Sequence, residues 1–168
     1  MQRMTLAAVG MIFMHAPMAT ELVEFKAPGS LDGPIVSQSA LGTTYRWRAR
    51  QPDSAAHLEI SVVTLPDEVA NTRIASPTMC VAMFAGELRK QSTDFYIAPE
   101  AEPLDAAGRS LTQMRWTRDD GTVFSTGVTA CAVDGRRFIA VNFGAAPAYA
   151  VNFMADLRQH LPALKVSP

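Results

Sequence analysis

The sequence predicts an α+β fold: an antiparallel β-sheet, made of a hairpin plus a three-strand meander, flanked by helices as an α/β/α sandwich. Three observations predict it. Residues 43–65 alternate apolar and polar side chains on both arms of one hairpin, and residues 109–144 do so in three runs separated by glycine-containing turns. Residues 77–91 and 147–161 instead carry apolar side chains at helical spacing.

Glu24 to Gly29 reads as a short edge strand entering a turn, and Ser30 to Gly42, rich in Gly, Pro and Ser, reads as a loop. Thr43 to Arg50 is a strand with Tyr45 and Trp47 on the core side and Arg46, Arg48 and Arg50 on the other. After a Pro-Asp-Ser turn, His57 to Leu65 returns with Leu58, Ile60 and Val62 on one face. Ser76-Pro77 opens a helix, serine as cap and proline at the first helical position, and Cys80, Phe84 and Leu88 share one of its faces. Gly86 inside that helix suggests close packing against a strand. Thr93 to Ala98 is a short strand and Pro99 to Gly108 a loop.

In the meander, an Asp134-Gly135 centre suits a two-residue type I′ loop pairing Val128 with Val141, Ala130 with Ile139 and Cys131 with Phe138. A three-residue loop with Gly121 in the left-handed position pairs Trp116 with Phe124 and Met114 with Thr126. That register makes one apolar face of Trp116, Phe124, Val128, Ile139, Val141 and Phe143, with Cys131 and Phe138 on the reverse. The last helix, from Pro147, buries Ala150, Phe153, Met154, Leu157 and Leu161 and stops at Pro162.

With 168 residues, 48% hydrophobic and 18% charged, the chain suits one domain, placed at 20–168. Collagen-like, coiled-coil and disordered compositions are excluded, and a net charge of −1 removes the electrostatic reason to propose a nucleic-acid partner. Residues 1–19 hold a basic start at Arg3, an apolar run from Met4 to Met14 and a small-residue exit, which together read as a signal peptide. Pro17 stands at −3 if cleavage follows Ala19, an imperfect box, and a buried first element of a cytoplasmic protein is the alternative. No second apolar run is long enough to span a membrane, so a periplasmic or secreted protein is expected. In that compartment Cys80 and Cys131 form a disulfide, worth about 4 kcal/mol by loop closure. In a cytosol they are two buried thiols. If the first helix covers the Cys131 face of the sheet, the two cysteines meet.

A search for chemistry finds little. The three histidines, His15, His57 and His160, are far apart, and neither CxxC nor HExxH occurs, so no metal site is expected. There is no GxSxG, no GxGxxG and no GxxxxGK[ST], and Asp119-Asp120 are turn formers before they are acids, so no catalytic residue and no cofactor are assigned. A Cys131–His57 pair is the one nucleophile considered, and nothing beside Cys131 would stabilise a thiolate. What stands out is arginine, twelve of the fifteen basic residues. Arg46, Arg48 and Arg50 form a row on one strand, and Arg115, Arg118, Arg136 and Arg137 lie at the ends of the meander. Together they are a candidate interaction surface or a solvated sheet face.

The order of elements, with the run GRSLTQMRWTRDDGTVFSTGVTACAVDGRRFIAVNF followed by AYAVNFMADLRQHL, resembles the meander and last helix of the PsbP/Mog-type sandwich, in particular bacterial DcrB-like envelope proteins. The resemblance spans about residues 24–165 and transfers no functional residue. It implies a non-enzymatic scaffold, its relatives including photosystem extrinsic subunits, a nuclear-transport GTPase-binding protein and adaptor chaperones of secretion effectors. The expected function is therefore an envelope binding or adaptor protein whose partner is another protein, met through the arginines and the segments 30–42 and 99–108. An immunity protein or chaperone for a secreted effector is the alternative, and a small hydrolase or redox enzyme the third reading.

Overall fold

The computed structural model describes residues 23–73, 75–99 and 103–167, so the expected leader, 1–19, lies outside the described residues. In chain order the elements are β1 (Val23–Glu24), β2 (Leu31–Ser39), β3 (Gly42–Ala49), a 3₁₀ turn (Pro52–Ser54), β4 (His57–Thr64), α1 (Asp67–Ala70) and α2 (Pro77–Lys90). There follow β5 (Asp94–Pro99), β6 (Leu104–Ala106), β7 (Arg109–Asp119), β8 (Phe124–Asp134), β9 (Arg137–Ala145), α3 (Pro147–His160), a second 3₁₀ turn (Leu161–Ala163) and β10 (Lys165–Val166). The main sheet is antiparallel throughout and runs β2-β3-β4-β9-β8-β7-β5, with β6 also paired to β7.

Alternation along the strands sorts the side chains into two cores. Tyr45, Trp47, Leu58, Ile60, Val128, Val141 and Phe143 face α3, which adds Ala150, Phe153 and Leu157 and, beyond its end, Leu161. Each of the larger side chains contributes about 1.5–3 kcal/mol by leaving water. The reverse face carries Cys131, Phe138 and Ala140 under Cys80 and Val81 of α2. Ser76 caps α2 by accepting the Met79 N–H at 3.2 Å. A disulfide joins Cys80 to Cys131, their Cα atoms 6.0 Å apart, and so ties α2 to β8. The expected α/β/α layering is present, and the hairpin of β3 with β4 pairs Tyr45 with Ile60 and Trp47 with Leu58.

Several expectations are corrected. Glu24 is not on the edge of the main sheet: β1 pairs with β10 in a ribbon of its own. Ser30 to Gly42 is not a loop but contains the nine-residue edge strand β2, with a bulge between Asp32 and Ile35 that accommodates Pro34, where a ladder N–H is dispensable. The segment 99–108 likewise contains β6. Gly86 is not a point of close packing, since a Cβ there would meet nothing within 4 Å.

Both tight turns are shifted as well. The β8–β9 loop is Gly135-Arg136, with φ +57° at Gly135 alone, where type I′ would need positive φ at both positions. Val128 therefore faces Phe143, Ala130 faces Val141 and Cys131 faces Ala140. Between β7 and β8 the loop has four residues, because Asp119 pairs with Phe124. Asp120 organises it: its Oδ1 accepts from the Thr122 hydroxyl at 2.6 Å and from the Val123 and Thr122 amides at 2.9 and 3.0 Å. These bonds to the ionised form hold the carboxyl at a pKa of about 2.

The longer turn moves Trp116 to the other face of the sheet. It stands opposite Gly127, and its indole lies across Gly127 of β8 and Gly144 of β9. Phe124 keeps the parity of Val128 but is exposed. A Cβ at Gly127 would collide with the Phe143 carbonyl oxygen and the indole, and one at Gly144 would sit 2.6 Å from the indole Cη2. Gly127→Ala is expected to cost at least about 2 kcal/mol in urea unfolding. A loss under about 0.5 kcal/mol would show that the indole is not seated there.

Candidate functional site

The polar face of the sheet is built from cross-strand rows. One row runs Arg48, His57, Gly144, Gly127, Trp116 and Ile97, from β3 to β5. Because the two central positions lack side chains, the indole reaches over them to His57, whose ring stacks on it with centroids 6.1 Å apart and planes 22° apart. Arg118 lies over the same indole, its guanidinium carbon 5.6 Å from the centroid. In the adjacent row Asn142 Oδ1 accepts from the indole N–H at 3.2 Å and from the Thr129 hydroxyl at 2.9 Å. Trp116 is thus buried and hydrogen-bonded, with a cation beside its face.

Burial pushes the His57 pKa below its ordinary value. The Ala55 carbonyl near Nδ1 opposes this, the positive Arg118 adds to it, and Glu59 opposes it. The imidazole is neutral at pH 7. A Cys131–His57 pair does not form, because the Cys131 sulfur is committed to Cys80. Among the described residues no three His, Cys, Asp or Glu side chains gather as metal ligands.

The seven arginines do not make one surface. Arg46 Nε donates to Glu59 at 2.6 Å, and Arg50, past the end of β3, donates to Asp32 at 2.7 Å. Arg136 pairs with Asp67, while Arg137 and Arg109 share Asp134 at 3.0 and 2.9 Å. Arg118 and the Arg136–Arg137 pair belong to opposite ends of β8, and Arg115 projects on the α3 side of the sheet, away from Arg48 and Arg118. Only Arg46 and Arg48 keep the predicted row. Arg50 instead lines an open groove of about 480 Å³ against α3, with Gln51, Tyr149, Phe153 and Asp156 on its other walls.

A surface the sequence reading missed lies at the β5 edge. Tyr96 is 69% exposed and Phe124 53% exposed, on the same side of the sheet as Arg115; Val123 is exposed in the adjoining turn, and Ile97 is exposed on the opposite face. Cross-strand pairing explains the grouping: Tyr96 is opposite Thr117, Arg115 opposite Ala98, and Asp119 opposite both Asp94 and Phe124. The signal was present in Asp94-Phe-Tyr-Ile, but treating Phe124 as core concealed it.

No family model matches the chain, and no curated protein matches it in sequence. Solved structures do match. LpqN of Mycobacterium tuberculosis, described as involved in cell envelope biogenesis, is 14% identical with a TM-score of 0.56 over 92% of this chain and 88% of its own. The cyanobacterial PsbP (CyanoP) of Synechocystis sp. PCC 6803 is 13% identical with a TM-score of 0.58 over 96% and 99%. The chain has a PsbP-like fold, and at these identities the likeness carries the fold alone. No described helix is long and apolar enough to cross a membrane.

The His57 shift fixes the sign of a pH effect. An unfolded histidine binds its proton near pH 6.5, and the folded one only at lower pH, so the unfolded state holds more protons in between. This contribution to stability is full above about pH 6.5 and falls as the pH drops through that value. Urea midpoints measured between about pH 7.5 and 5 should fall, and His57→Phe should flatten the slope. An unchanged slope in the variant would exclude His57 as its source.

Proposed function

We propose that the protein is an exported, non-catalytic binding or adaptor protein of the bacterial envelope, working through protein–protein contact. The observation that carries this reading is the exposure of Tyr96 on β5 and Phe124 on β8, two strands apart on the face of the sheet that also carries Arg115. Tyrosine and arginine are the residue types that dominate interface energetics. An aromatic ring buries much area for few rotatable bonds, and a guanidinium grips a carboxylate with two parallel hydrogen bonds. Here the three side chains project from paired strands, so little backbone order is lost on docking. The fitting partner offers an apolar pocket for the rings, with Arg115, which already has a partner within the chain, at their flank. The candidate arginines enter unequally, since Arg115 is the one whose place in the sheet joins the aromatic patch. The leader-like residues 1–19, the Cys80–Cys131 bond and the envelope role of LpqN support the compartment.

Two experiments test the two halves of this reading. Intact mass from the native cell envelope is expected to begin near residues 17–21 and to show no free thiol before reduction. An uncleaved chain with two free thiols would place the protein elsewhere. For the contact, a photoreactive amino acid at position 96 should yield a discrete protein adduct in cells. The same probe at Val151, 75% exposed on α3, should not, and Arg115→Glu should abolish the adduct from position 96. Equal labelling from both positions, or from neither, would remove the β5 edge as the docking surface.

A further inference from the structure

The opposite edge of the sheet, β2, is unpaired among the described residues and differs in character from β5. Edge strands are normally blunted by charges, prolines or bulges. In β2 the proline and the bulge lie in the first half, at Asp32 to Ile35, and the second half, Ile35 to Ser39, has neither. From Gly33 to Tyr45 there is no Asp, Glu, Lys or Arg at all. Ile35 is 60% exposed and Val36 49% exposed.

The direction of the free backbone groups follows from the hairpin. The Leu41 carbonyl accepts the Thr64 N–H and the Ala56 carbonyl accepts the Ala49 N–H, both at 2.7 Å. Antiparallel pairs alternate between bonded and non-bonded, so Thr43 and Tyr45, two and four residues from Leu41, turn their amides toward β4. Their partners on β2, Gln38 and Val36, therefore turn N–H and C=O outward. Two donors and two acceptors stand in line on the open edge, at the spacing that an extended strand satisfies.

We propose that β2 is a self-association edge, occupied by β2 of a second copy of this chain in antiparallel register centred on Ser37. In that register Val36 and Gln38 of one copy exchange backbone hydrogen bonds with Gln38 and Val36 of the other, Pro34 is left out, and Ser37 meets Ser37 across the two-fold axis. A two-fold pairing sets the axial residue against its own copy, so a charge at that position would meet its like. The uncharged stretch removes that repulsion. Pairing β2 with the β5 edge of another copy would instead propagate without closing. The closed dimer keeps the two β5 patches at its far ends, so it is independent of how those patches are used.

The test is sedimentation equilibrium on the full chain. The weight-average mass is expected to rise with concentration from 18.2 kDa toward twice that value. Val36→Pro removes an outward N–H that makes no bond to β3, so it should hold the chain at monomer mass while leaving the circular dichroism spectrum and Tm near those of the parent. Ser37→Lys should be monomeric, since it sets two like charges on the axis next to the Arg46 guanidinium that already donates to the Ser37 hydroxyl at 3.4 Å. A monomer at every concentration, or a dimer that survives Val36→Pro or Ser37→Lys, would overturn the proposal.

Discussion

The seat of Trp116 on Gly127 and Gly144 is the constraint on which the rest of the sheet depends. A ring of that size can lie flat on a β-sheet only where its neighbours in the row have no side chains, and here two adjacent strands supply glycine at the same level. The pairing of Trp116 with Gly127 sets the β7–β8 register, that of Gly127 with Gly144 the β8–β9 register, and that of Gly144 with His57 the next. A slip of one residue in any of these pairings would put a carbonyl or a Cβ where the indole lies. It would also send Val128, Ala130, Val141 and Phe143 away from α3. The indole N–H to Asn142 and the ring of His57 then fix the orientation of the tryptophan within its row.

From that registered sheet the two layers follow unequally. The face toward α3 is apolar across β3, β4, β9 and β8 and is held to its helix by burial alone. The reverse face is apolar around Phe138, Ala140 and Cys131 and at the seat of Trp116, and between these it carries Arg46, Glu59, Asn142 and Thr129. A helix resting on so small an apolar area gains little from burial, and the covalent link from Cys80 to Cys131 compensates by holding α2 at the centre of that area. The same polarity explains why the Arg46–Glu59 pair is a half-solvated cross-strand bridge rather than a binding device: both charges already have their partner.

Much of this architecture was legible in the sequence alone. Alternation in residues 43–65 and the Ser76-Pro77 and Pro147 helix starts correspond to β3, β4, α2 and α3, because each rests on a local rule that tertiary packing reinforces. β2 was not legible, since its Gly, Pro and Ser content reads as a loop and its strand state comes from pairing with β3. The turn at 120–123 failed for a different reason. Gly121 invited a short loop, whereas the decisive group is the Asp120 carboxylate, which ties three donors and adds a residue. The resulting register, three residues from the expected one, puts Trp116 on the opposite face. The arginine row failed because side-chain parity says which face a residue occupies and not which carboxylate awaits it there.

A sheet covered on both sides by helices has few places left for recognition, and they are its edges, its turns and the rim of its covering layers. The two edges are built on opposite terms. Near β5 the exposed side chains are large and aromatic, so under the proposed function a partner would be selected by the pockets it brings, with backbone pairing secondary. Along Ile35–Ser39 of β2 the side chains are uncharged and the outward backbone groups of Val36 and Gln38 are the feature on offer, so in the proposed pairing the complement is defined by strand geometry. An edge that recognises geometry alone is indiscriminate unless something occupies it, and two-fold closure is the occupation that the absence of charge permits. If both proposals hold, the edge that discriminates by side chain is left to act singly, with assembly and recognition separated by the full width of the sheet.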